Sequence, residues 1–492
     1  MGQDELHYDV IVVGAGNAAL CAALSARDHG ASVVVLEKAP ASAQGGNCPY
    51  TGGGFRFVHD GIEDLRDLVE DMTDADVARI SMAPYTADDF RCHLLAVTHG
   101  ETEPDLMDTL ISESRPTVDW MRSKGVRWEL PSGSRPSTGA PSVIPNSVGL
   151  AAWRSGPGLV DMLTKAARRN GIDILYETKM LRLLEDPRGG VRGVVAGDRD
   201  GIHEICARGV VLACGGFEAN PEMRVKYLGG GWERAKVRGT RFNTGDGHRA
   251  ALDVGAKAGG QWTGCHATPI DIEAPKTGEL EVTDRMPRRS YPLGIMVNLS
   301  GRRFVDEGEG FAEQTFVKVG TRILEQERGL AFQIFDAKAR SMLEPRYGVA
   351  TAVEAGDLGT LAERLGINAA AFRGTVEAFN AEAQNGEYMP RKLDGRATKN
   401  LNPPKSNWAI RIDTPPFVAF TVTGGITYTY GGLSIAGDAQ VLNLEDRPIP
   451  GLFAAGEIVG GIFYHNSLRA AGLMHGAVFG RLAGAGAAKF TR

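Results

Sequence analysis

The sequence is poor in the features that mark metal, haem, disulfide, membrane and nucleic-acid binding proteins. Its six cysteines are scattered over 492 residues. No C-x-x-C pair or Cys/His cluster occurs, which argues against structural zinc, attached haem and a disulfide framework. The apolar runs are too short for a membrane span, and no basic block accompanies the formal charge of −6. We therefore expect no metal site, no membrane span and no nucleic-acid partner.

Composition and the N-terminal stretch indicate a globular protein with a cytoplasmic location. "MGQDELHYD" is polar and acidic, unlike a signal peptide. Hydrophobic residues make up 43% and charged residues 23%, as in an ordinary globular protein, and the length favours more than one domain. Glycine is abundant, with 64 residues in short groups beside strand-like segments. That pattern suggests tight turns around a bound ligand.

The first glycine group lies inside a predicted βαβ unit. Tyr8 to Val13 reads as a buried strand, and Gly14 to Ala19 forms a G-x-G-x-x-A turn. A helix follows and stops at Gly30. Ser32 to Leu36 reads as a second parallel strand, with Glu37 at its end. Strand, turn, helix, second strand and acid together indicate a dinucleotide-binding unit.

Each part of this unit has a physical role toward a dinucleotide. Gly14 makes the tight turn, Gly16 lets the backbone approach a pyrophosphate, and Ala19 keeps helix and strand close. The helix N-terminus offers unpaired N–H groups to the phosphates, and Glu37 can accept hydrogen bonds from ribose hydroxyls. NAD and FAD both fit this unit. The residues expected to contact the cofactor here are Gly14, Ala15, Gly16, Asn17, Ala18, Ala19, Glu37 and Lys38.

A second glycine group, "QGGNCPYTGGGF" from Gln44 to Phe55, favours FAD over NAD. It starts a few residues after Glu37, where a plain NAD domain would continue to another crossover. Its backbone N–H groups and small residues are suited to cradle an isoalloxazine ring, with hydrogen bonds from Asn47 and Thr51. A surface linker is the weaker interpretation. The residues expected to contact the flavin are Gly45, Gly46, Asn47, Thr51, Gly52, Gly53 and Gly54.

Six motifs in order resemble the fumarate reductase/succinate dehydrogenase flavoprotein family. They are "VIVVGAGNAAL", "EKAP…GGN…TGGG", "GVVLACGGFEANPEM", "TGDGHRAALDVGA", "GIMVNLSGRRFVDE" and "GLFAAGEIVGGIFYHNS…GLMHGAVFGRLAG". Within the family, "ITYTYGGL" and "GGIFYHN…GLMHGAVFGR" are most similar to the FAD-dependent tricarballylate dehydrogenase branch. The resemblance implies an α/β fold: an FAD-binding Rossmann-like domain of the glutathione-reductase type with an inserted α+β capping domain. The implied segments are 1–261 and 417–492 for FAD binding and 262–416 for the cap.

The resemblance also implies further cofactor contacts. Glu457 is similar to the family acid that binds the ribityl chain, and the helix starting near Gly472 and Leu473 would stabilise negative charge on reduced flavin. Thr244 or Asp246 is expected to cap a helix. The FAD is expected to be non-covalent, because the flavin loop lacks the histidine of covalent members, although Cys48 keeps a thioether open. The remaining implied contacts are Met180, Ala213, Cys214, Gly215 and Gly456.

The same resemblance suggests substrate-binding and catalytic residues. His266 is similar to a family histidine at the substrate, and His465 precedes a loop in which Ser467 stands at the usual position of a carboxylate-binding arginine. Arg469, two residues on, is then the expected carboxylate clamp, with Arg289 and its neighbour Arg288 as candidates from the cap. Tyr428 stands where fumarate reductases have a histidine. Either Tyr428 or a cap arginine could be the acid/base.

These residues predict an FAD-dependent oxidoreductase that acts on a CH–CH bond of a small carboxylate, as in tricarballylate dehydrogenase. Phe311 stands where fumarate reductases carry a proton-donating arginine, which argues against the usual fumarate reductase. Three alternatives stay open: an ene reductase of that type, an enone-forming dehydrogenase resembling 3-ketosteroid dehydrogenases, and a non-catalytic flavin-binding protein. Without a haem motif, electrons are expected to pass to or from a separate partner.

Overall fold

A computed structural model describes residues 6–70, 72–131, 142–144 and 147–491. The start of the polar stretch that we distinguished from a signal peptide, residues 1–5, lies outside them. The chain forms two compact units. The first unit comprises Met1–Met223, Thr240–Cys265 and Tyr428–Arg492, and the second comprises Arg224–Gly239 and His266–Thr427. The segment boundaries inferred from the sequence stay a prediction.

The helices and strands of the described residues follow in chain order. The helices are α1 (Asn17–Asp28), α2 (Ile62–Arg66), α3 (Asp74–Val77), α4 (Ala87–Val97), α5 (Pro104–Ser123), α6 (Ser155–Arg169), α7 (Pro221–Leu228), α8 (Asp246–Asp253), α9 (Ala312–Leu324), α10 (Ala337–Arg340), α11 (Leu358–Leu365), α12 (Ala369–Glu382) and α13 (Ala471–Phe490). The strands are β1 (Leu6–Val13), β2 (Val33–Leu36), β3 (Gly54–Phe55), β4 (Ile80–Ser81), β5 (Trp128–Glu129), β6 (Ser142–Val143), β7 (Leu150–Ala152), β8 (Asp173–Leu175), β9 (Lys179–Glu185), β10 (Val191–Asp198), β11 (Gly201–Leu212), β12 (Lys236–Val237), β13 (Ala258–Asp271), β14 (Ile295–Val297), β15 (Leu330–Phe335), β16 (Val353–Ala355), β17 (Phe417–Leu433), β18 (Gln440–Leu442) and β19 (Pro448–Ala454).

The first unit is built on an eight-stranded sheet of order β18-β19-β11-β1-β2-β8, extended by the antiparallel strands β10 and β9. β1 pairs in parallel with both β2 and β11. Its residues Val10–Val13 are buried on both faces, which explains a continuous apolar run rather than an alternating one. The predicted βαβ unit is therefore confirmed, with β1 starting two residues before Tyr8 and β2 one residue after Ser32.

Helices α1 and α13 pack through small residues. Cβ atoms built on Gly480 and Gly484 would collide with the backbone carbonyls of Ala18 and Ala22, so the two helices approach more closely than larger side chains would permit. The Nδ2 of Asn17 donates to the Leu473 carbonyl at 2.8 Å. The first turns of both helices are thereby placed side by side, and their N–H groups point into one region of the first unit.

The second unit has a largely antiparallel sheet of order β12-β17-β15-β14, with β13 and β16 also pairing with β17. One side of its core is formed by α11, α12 and buried residues of β15 and β17. A mostly antiparallel sheet with separate helices is an α+β arrangement. The predicted fold class, a Rossmann-like FAD-binding domain with an α+β capping domain, is confirmed. Among the residues the structure describes, we find no helix long and apolar enough to cross a bilayer.

Candidate active site

The turn after β1 leaves the first N–H groups of α1 accessible to an anion. Gly14 has φ +105, and a Cβ there would lie 3.0 Å from the Cys214 Cα, so this turn requires glycine. Gly16 is the N-cap of α1 and supplies no side-chain cap, and the first turn carries no acid. Asn17 N donates to Cys48 Sγ at 3.2 Å, so a phosphate group would take its hydrogen bonds from the N–H groups that follow in the first turn, those of Ala18 and Ala19.

Glu37 ends β2 as a buried carboxylate next to the same turn. Its Oε2 accepts from Ala15 N at 2.9 Å and its Oε1 from Ala39 N at 2.8 Å. Burial raises the pKa of Glu37, and these backbone N–H groups partly oppose the increase. The carboxyl is fixed in orientation, and its remaining lone pairs can accept from ribose hydroxyls.

The flavin loop is held in shape by its own polar side chains. Asn47 Nδ2 donates to Glu218 Oε1 at 2.7 Å, and Asn47 Oδ1 accepts from Thr240 N at 3.0 Å. Thr51 Oγ1 donates to the Cys48 carbonyl at 2.8 Å. Their expected hydrogen bonds to flavin stay a prediction, since both side chains fasten the loop within the first unit.

Lys38, Thr244 and Asp246 form one hydrogen-bonded group. Lys38 Nζ lies 2.6 Å from both Thr244 Oγ1 and Asp246 Oδ2, and hydrogen bonds from Lys38 help hold the pKa of Asp246 well below its usual range. The predicted helix cap is wrong, because α8 starts at Asp246 and its N-cap is Gly245, with φ +74 and no side-chain cap. Thr244 donates to Asp246 at 2.8 Å instead of capping.

The start of α13 borders open space. Its N-cap, Ala470, has φ +63 and offers no side-chain cap, and a Cβ on Gly472 would have no atom within 4 Å. The same is true of Gly52 in the flavin loop. A cradle lined by Gly52, Gly472, two helix N-termini without side-chain caps and the Glu37 carboxyl fits an extended dinucleotide with a flat ring. These residues of the first unit therefore fit FAD.

The other predicted cofactor residues lie around this cradle or in the strands that support it. Met180 is buried in β9, and Ala213 is hydrogen-bonded by its backbone to Val13. Cys214 and Gly215 follow β11, and Gly456 and Glu457 follow β19. Burial raises the pKa of Cys214 to about 12, so it is a neutral thiol.

We expect Gly472→Ala to weaken FAD binding while leaving the protein at least as stable. Alanine is favoured over glycine in helices by up to about 1 kcal/mol, but the added methyl group would occupy space that the cofactor needs, and such overpacking costs about 1–3 kcal/mol. The Kd of FAD should therefore rise roughly 5- to 150-fold. Gly374→Ala is the matched control, because Gly374 is an exposed glycine of α12 with no atom near its Cβ position. Equal FAD affinity in both variants would contradict the placement of the cradle.

Tyr428 lies in an aromatic group with Ser467. Its hydroxyl is hydrogen-bonded to Ser467, and its ring centroid is 5.7 Å from Tyr430 and 6.1 Å from Phe463. Burial raises the pKa of Tyr428 far above its usual range, so the hydroxyl keeps its proton at neutral pH. Ser467, which stands at the family's arginine position, is therefore the hydrogen-bond partner of a protonated phenol.

The two other predicted residues of this loop face different surroundings. His465 Nε2 pairs with Glu101 Oε1 at 2.7 Å, and its ring stacks on His99 at 4.6 Å. The Arg469 side chain is exposed. Sequence reasoning missed Arg56, a buried arginine whose Nε donates to the Arg469 carbonyl at 2.9 Å. The sequence signal for Arg56 was its position two residues after the last glycine of the flavin loop.

In the second unit the adjacent candidates Arg288 and Arg289 differ. Arg288 is fully buried and its Nη2 pairs with Asp271 Oδ2 at 2.9 Å, so it is structural. Arg289 has no carboxylate partner within ion-pair distance among the described residues. Its guanidinium lies 4.1 Å from the Phe316 ring centroid, and its Nε is 3.3 Å from Thr268 Oγ1.

Two further arginines surround Arg289, and sequence reasoning missed both. Arg238 and Arg346 share Asp284, at 2.8 Å and 3.4 Å. Burial and these two guanidinium groups lower the pKa of Arg289 to about 10, opposed by Glu344. Three guanidinium groups against two carboxylates leave a net charge of +1, which a substrate carboxylate could neutralise. No sequence pattern linked positions so far apart.

His266 and Phe311 both pack against aromatic side chains of the second unit. His266 packs on Phe316, with ring centroids 4.9 Å apart. Burial, Arg289 and Arg238 hold the pKa of His266 well below its usual range, so its imidazole is neutral. Phe311 is the N-cap of α9 and packs 5.9 Å from Trp408. Phe311 packs against a hydrophobic cluster and has no titratable proton to donate.

Comparison with known proteins identifies the family. Residues 9–473 match the FAD binding domain family. The chain belongs to this family. It is 30% identical to the probable fumarate reductase Ifc3 of Shewanella frigidimarina over 98% of this chain and 74% of that protein. The resemblance to fumarate reductase flavoproteins is thus confirmed at the level of the family.

Other relatives differ in length and in the reactions their names describe. The chain is 29% identical to an NADH:fumarate oxidoreductase of Klebsiella pneumoniae over 99% of its own length, but spans only 48% of that protein. It is 28% identical to a 3-oxosteroid 1-dehydrogenase of Mycolicibacterium smegmatis, over 93% of each chain. The solved open conformation of a flavocytochrome c3 fumarate reductase superposes with a TM-score of 0.74 at 27% identity, covering 100% of this chain and 79% of that one. The protein is an FAD-dependent oxidoreductase that acts on CH–CH bonds.

Proposed function

We propose that the protein oxidises a CH–CH bond in a small polycarboxylate, as a tricarballylate dehydrogenase does. The observation that carries this proposal is the arginine group of the second unit. Arg289 is mostly buried and has no carboxylate within ion-pair distance in the described part of the chain, while Arg238 and Arg346 leave the group with a charge of +1. A planar guanidinium in such surroundings is suited to bind a carboxylate.

The chain's own residues can perform the proton part of the reaction. Arg289 would bind and orient one substrate carboxylate, and the neutral His266 imidazole can add a hydrogen bond. In the first unit, Tyr428 in its phenolate form could take a proton released from a carbon acid and pass it on through Ser467. FAD, when bound, supplies the two-electron acceptor for the hydrogen leaving the neighbouring carbon. Reduction of an activated alkene uses the same residues in reverse, with Tyr428 giving the proton.

An enone-forming dehydrogenase is a second candidate, favoured by the aromatic group. Tyr428, Tyr430 and Phe463 form a mainly apolar group with two phenolic hydroxyls, both beside Ser467. Such a group would suit a ketosteroid better than a small anion.

The expectation of a carboxylate clamp at Arg469 is weakened by the exposure of that side chain, because an exposed ion pair contributes only about 0–1 kcal/mol.

Anaerobic stopped-flow mixing separates these candidates. The oxidised, FAD-loaded protein is mixed with tricarballylate, succinate or a 3-ketosteroid, and the reduced protein is mixed with fumarate. We expect the fastest loss of flavin absorbance with tricarballylate. Bleaching by the ketosteroid alone would establish the enone-forming alternative. Rapid reoxidation by fumarate with no bleaching by any saturated acid would restore the fumarate reductase interpretation.

We further propose that electrons pass to or from a separate partner, and that the protein is cytoplasmic. The first proposal rests on the sequence, which carries no haem motif. Two relatives named as NADH oxidoreductases are about twice the length that this chain covers, which is consistent with an electron-supplying part outside the matched region.

We expect FAD to be bound without a covalent link. Cys48, the residue that kept a thioether open, has its pKa raised to about 11 by burial, and its Sγ lies 3.2 Å from Asn17 N. A protonated thiol is a poor nucleophile. Acid precipitation should release all flavin into the supernatant, equally for wild type and Cys48→Ser. Flavin retained in the wild-type pellet but released from Cys48→Ser would show a thioether.

A further inference from the structure

Two carboxyl groups, one fully buried and one partly exposed, meet beside the flavin loop. Glu218 is fully buried two residues after Gly216, and Glu457 follows β19. An oxygen of each carboxyl group approaches the position of a Cβ built on Gly216, and each group shifts the pKa of the other. Asn47 Nδ2 lies 2.7 Å from Glu218 Oε1 and 3.4 Å from Glu457 Oε2, so one amide group contacts both carboxyl groups.

The surroundings hold the two groups together. Asn243 Nδ2 also donates to Glu218 Oε1, at 2.7 Å, and Thr429 N donates to Glu457 Oε1 at 3.0 Å. A Cβ on Gly216 would collide with Glu457 Oε1 and would lie 2.7 Å from Glu218 Oε2. Because Gly216 has no side chain, both carboxyl groups can lie against its backbone.

Two carboxylates in contact inside a protein cannot both stay ionised, and a hydrogen bond between them requires a proton. Glu218 receives its two amide donors at 2.7 Å, whereas the donors to Glu457 lie at 3.0 Å and 3.4 Å. Glu218 is therefore the better place for the negative charge, and Glu457 is left with the proton. Burial and the charge on Glu218 raise the pKa of Glu457 well above its usual range. Among described residues, the titratable side chains that face the pair are Tyr428 and Cys48, and both are neutral at neutral pH.

We propose that Glu218 and Glu457 share one proton, and that Glu218 is a positioning residue which keeps Glu457 protonated and fixed at the FAD cradle. The pair then carries one negative charge rather than two. Sequence reasoning assigned Glu457 to the cofactor but gave Glu218 no role. This inference depends on FAD binding and is independent of the substrate.

The pH dependence follows from loss of the shared proton to solvent. Glu457 has a raised pKa in the folded protein, so its contribution to stability is fully present below the usual pKa of a glutamate. That contribution is lost as pH rises through the raised pKa, where the pair acquires a second negative charge. The same charge would repel the pyrophosphate of FAD. FAD affinity should therefore fall at the pH at which the pair loses its proton.

Infrared difference spectroscopy and FAD titration of the holoenzyme test the proposal. The variants are Glu457→Gln, whose amide can donate to Glu218 as the neutral acid does, and Glu218→Gln. Glu185→Gln on the exposed face of β9 is the control. We expect a protonated-carboxyl band at neutral pH in wild type and in the control. It should be absent from Glu457→Gln. In Glu218→Gln it should disappear at a lower pH than in wild type, because burial of Glu457 remains but its charged partner is lost.

Equilibrium FAD titration supplies the second readout. In wild type the Kd of FAD should rise as the band disappears with increasing pH, by at most ~10-fold per pH unit. In Glu457→Gln it should not change over that range. Absence of the band from wild type at neutral pH would overturn proton sharing. A band that disappears at the same pH in Glu218→Gln as in wild type, or a wild-type Kd that rises while the band remains, would overturn the positioning role of Glu218.

Discussion

Replacing Tyr428 with phenylalanine is expected to lower kcat by about 10²- to 10⁴-fold, the usual contribution of a general acid or base. The ring and its contacts with Tyr430 and Phe463 would remain, so the loss should reflect the hydroxyl alone. FAD binding should be unchanged. The measurement is the rate of flavin bleaching by the best substrate under anaerobic conditions.

The pH profile of wild type gives Tyr428 a signature that a structural role would not produce. Since burial raises the pKa of Tyr428, the phenolate needed to accept a proton is scarce at neutral pH. The bleaching rate should increase by about tenfold per pH unit in the alkaline range, and the slope should vanish in Tyr428→Phe. Tyr388→Phe, in the hydrophobic core of the second unit, serves as control. Equal profiles in wild type and Tyr428→Phe would assign the proton transfer to another residue.

Replacing Arg289 with alanine is expected to lower kcat/KM by about 30- to 5,000-fold, because truncating one partner of a buried charge pair costs about 2–5 kcal/mol. Arg289→Lys should recover only part of the loss, since lysine keeps the charge but not the bidentate geometry. Arg285→Ala, an exposed arginine of the same segment, should be near wild type. Arg469→Ala is the competing clamp, and a larger effect there would move the carboxylate site to the 460–470 loop.

A substrate series sharpens this test. If Arg289 binds one carboxylate of tricarballylate, a substrate without that carboxylate should have a much lower kcat/KM in wild type. The same change of substrate should lower kcat/KM only slightly in Arg289→Ala. Additive losses would show that Arg289 acts elsewhere. The pKa of Arg289, about 10, adds a second signature. Substrate binding through this residue should be constant across the neutral range, because the guanidinium keeps its charge there.

Local pattern made the FAD half of the fold predictable from sequence. The run from Tyr8 to Glu37 carries strand, turn, helix and acid within one short stretch, and nearly every feature is set by neighbouring residues. The structure reproduces it to within two residues at the strand ends. Gly14 and the flavin loop glycines could be assigned for the same reason, because backbone conformation is dictated locally.

Contacts between distant positions were not predictable in the same way. Arg238 and Arg346 join Arg289 only through the folding of the second unit, and Asn47 contacts Glu218 across 171 positions. The prediction that Thr244 or Asp246 caps α8 was wrong. Lys38 is hydrogen-bonded to both side chains, and the N-cap residue is Gly245. An acid in the apolar stretch "GVVLACGGFE" was the one available hint of Glu218.

The most direct test of the proposed reaction is product stoichiometry in a single anaerobic turnover. Oxidised holoenzyme is mixed with excess tricarballylate without an electron acceptor, and flavin absorbance and the alkene tricarboxylate are measured in the same sample. We predict one alkene formed per FAD reduced, with neither product in Arg289→Ala on the same time scale. Bleaching without alkene, or alkene formation that survives loss of Arg289 at the wild-type rate, would contradict the account.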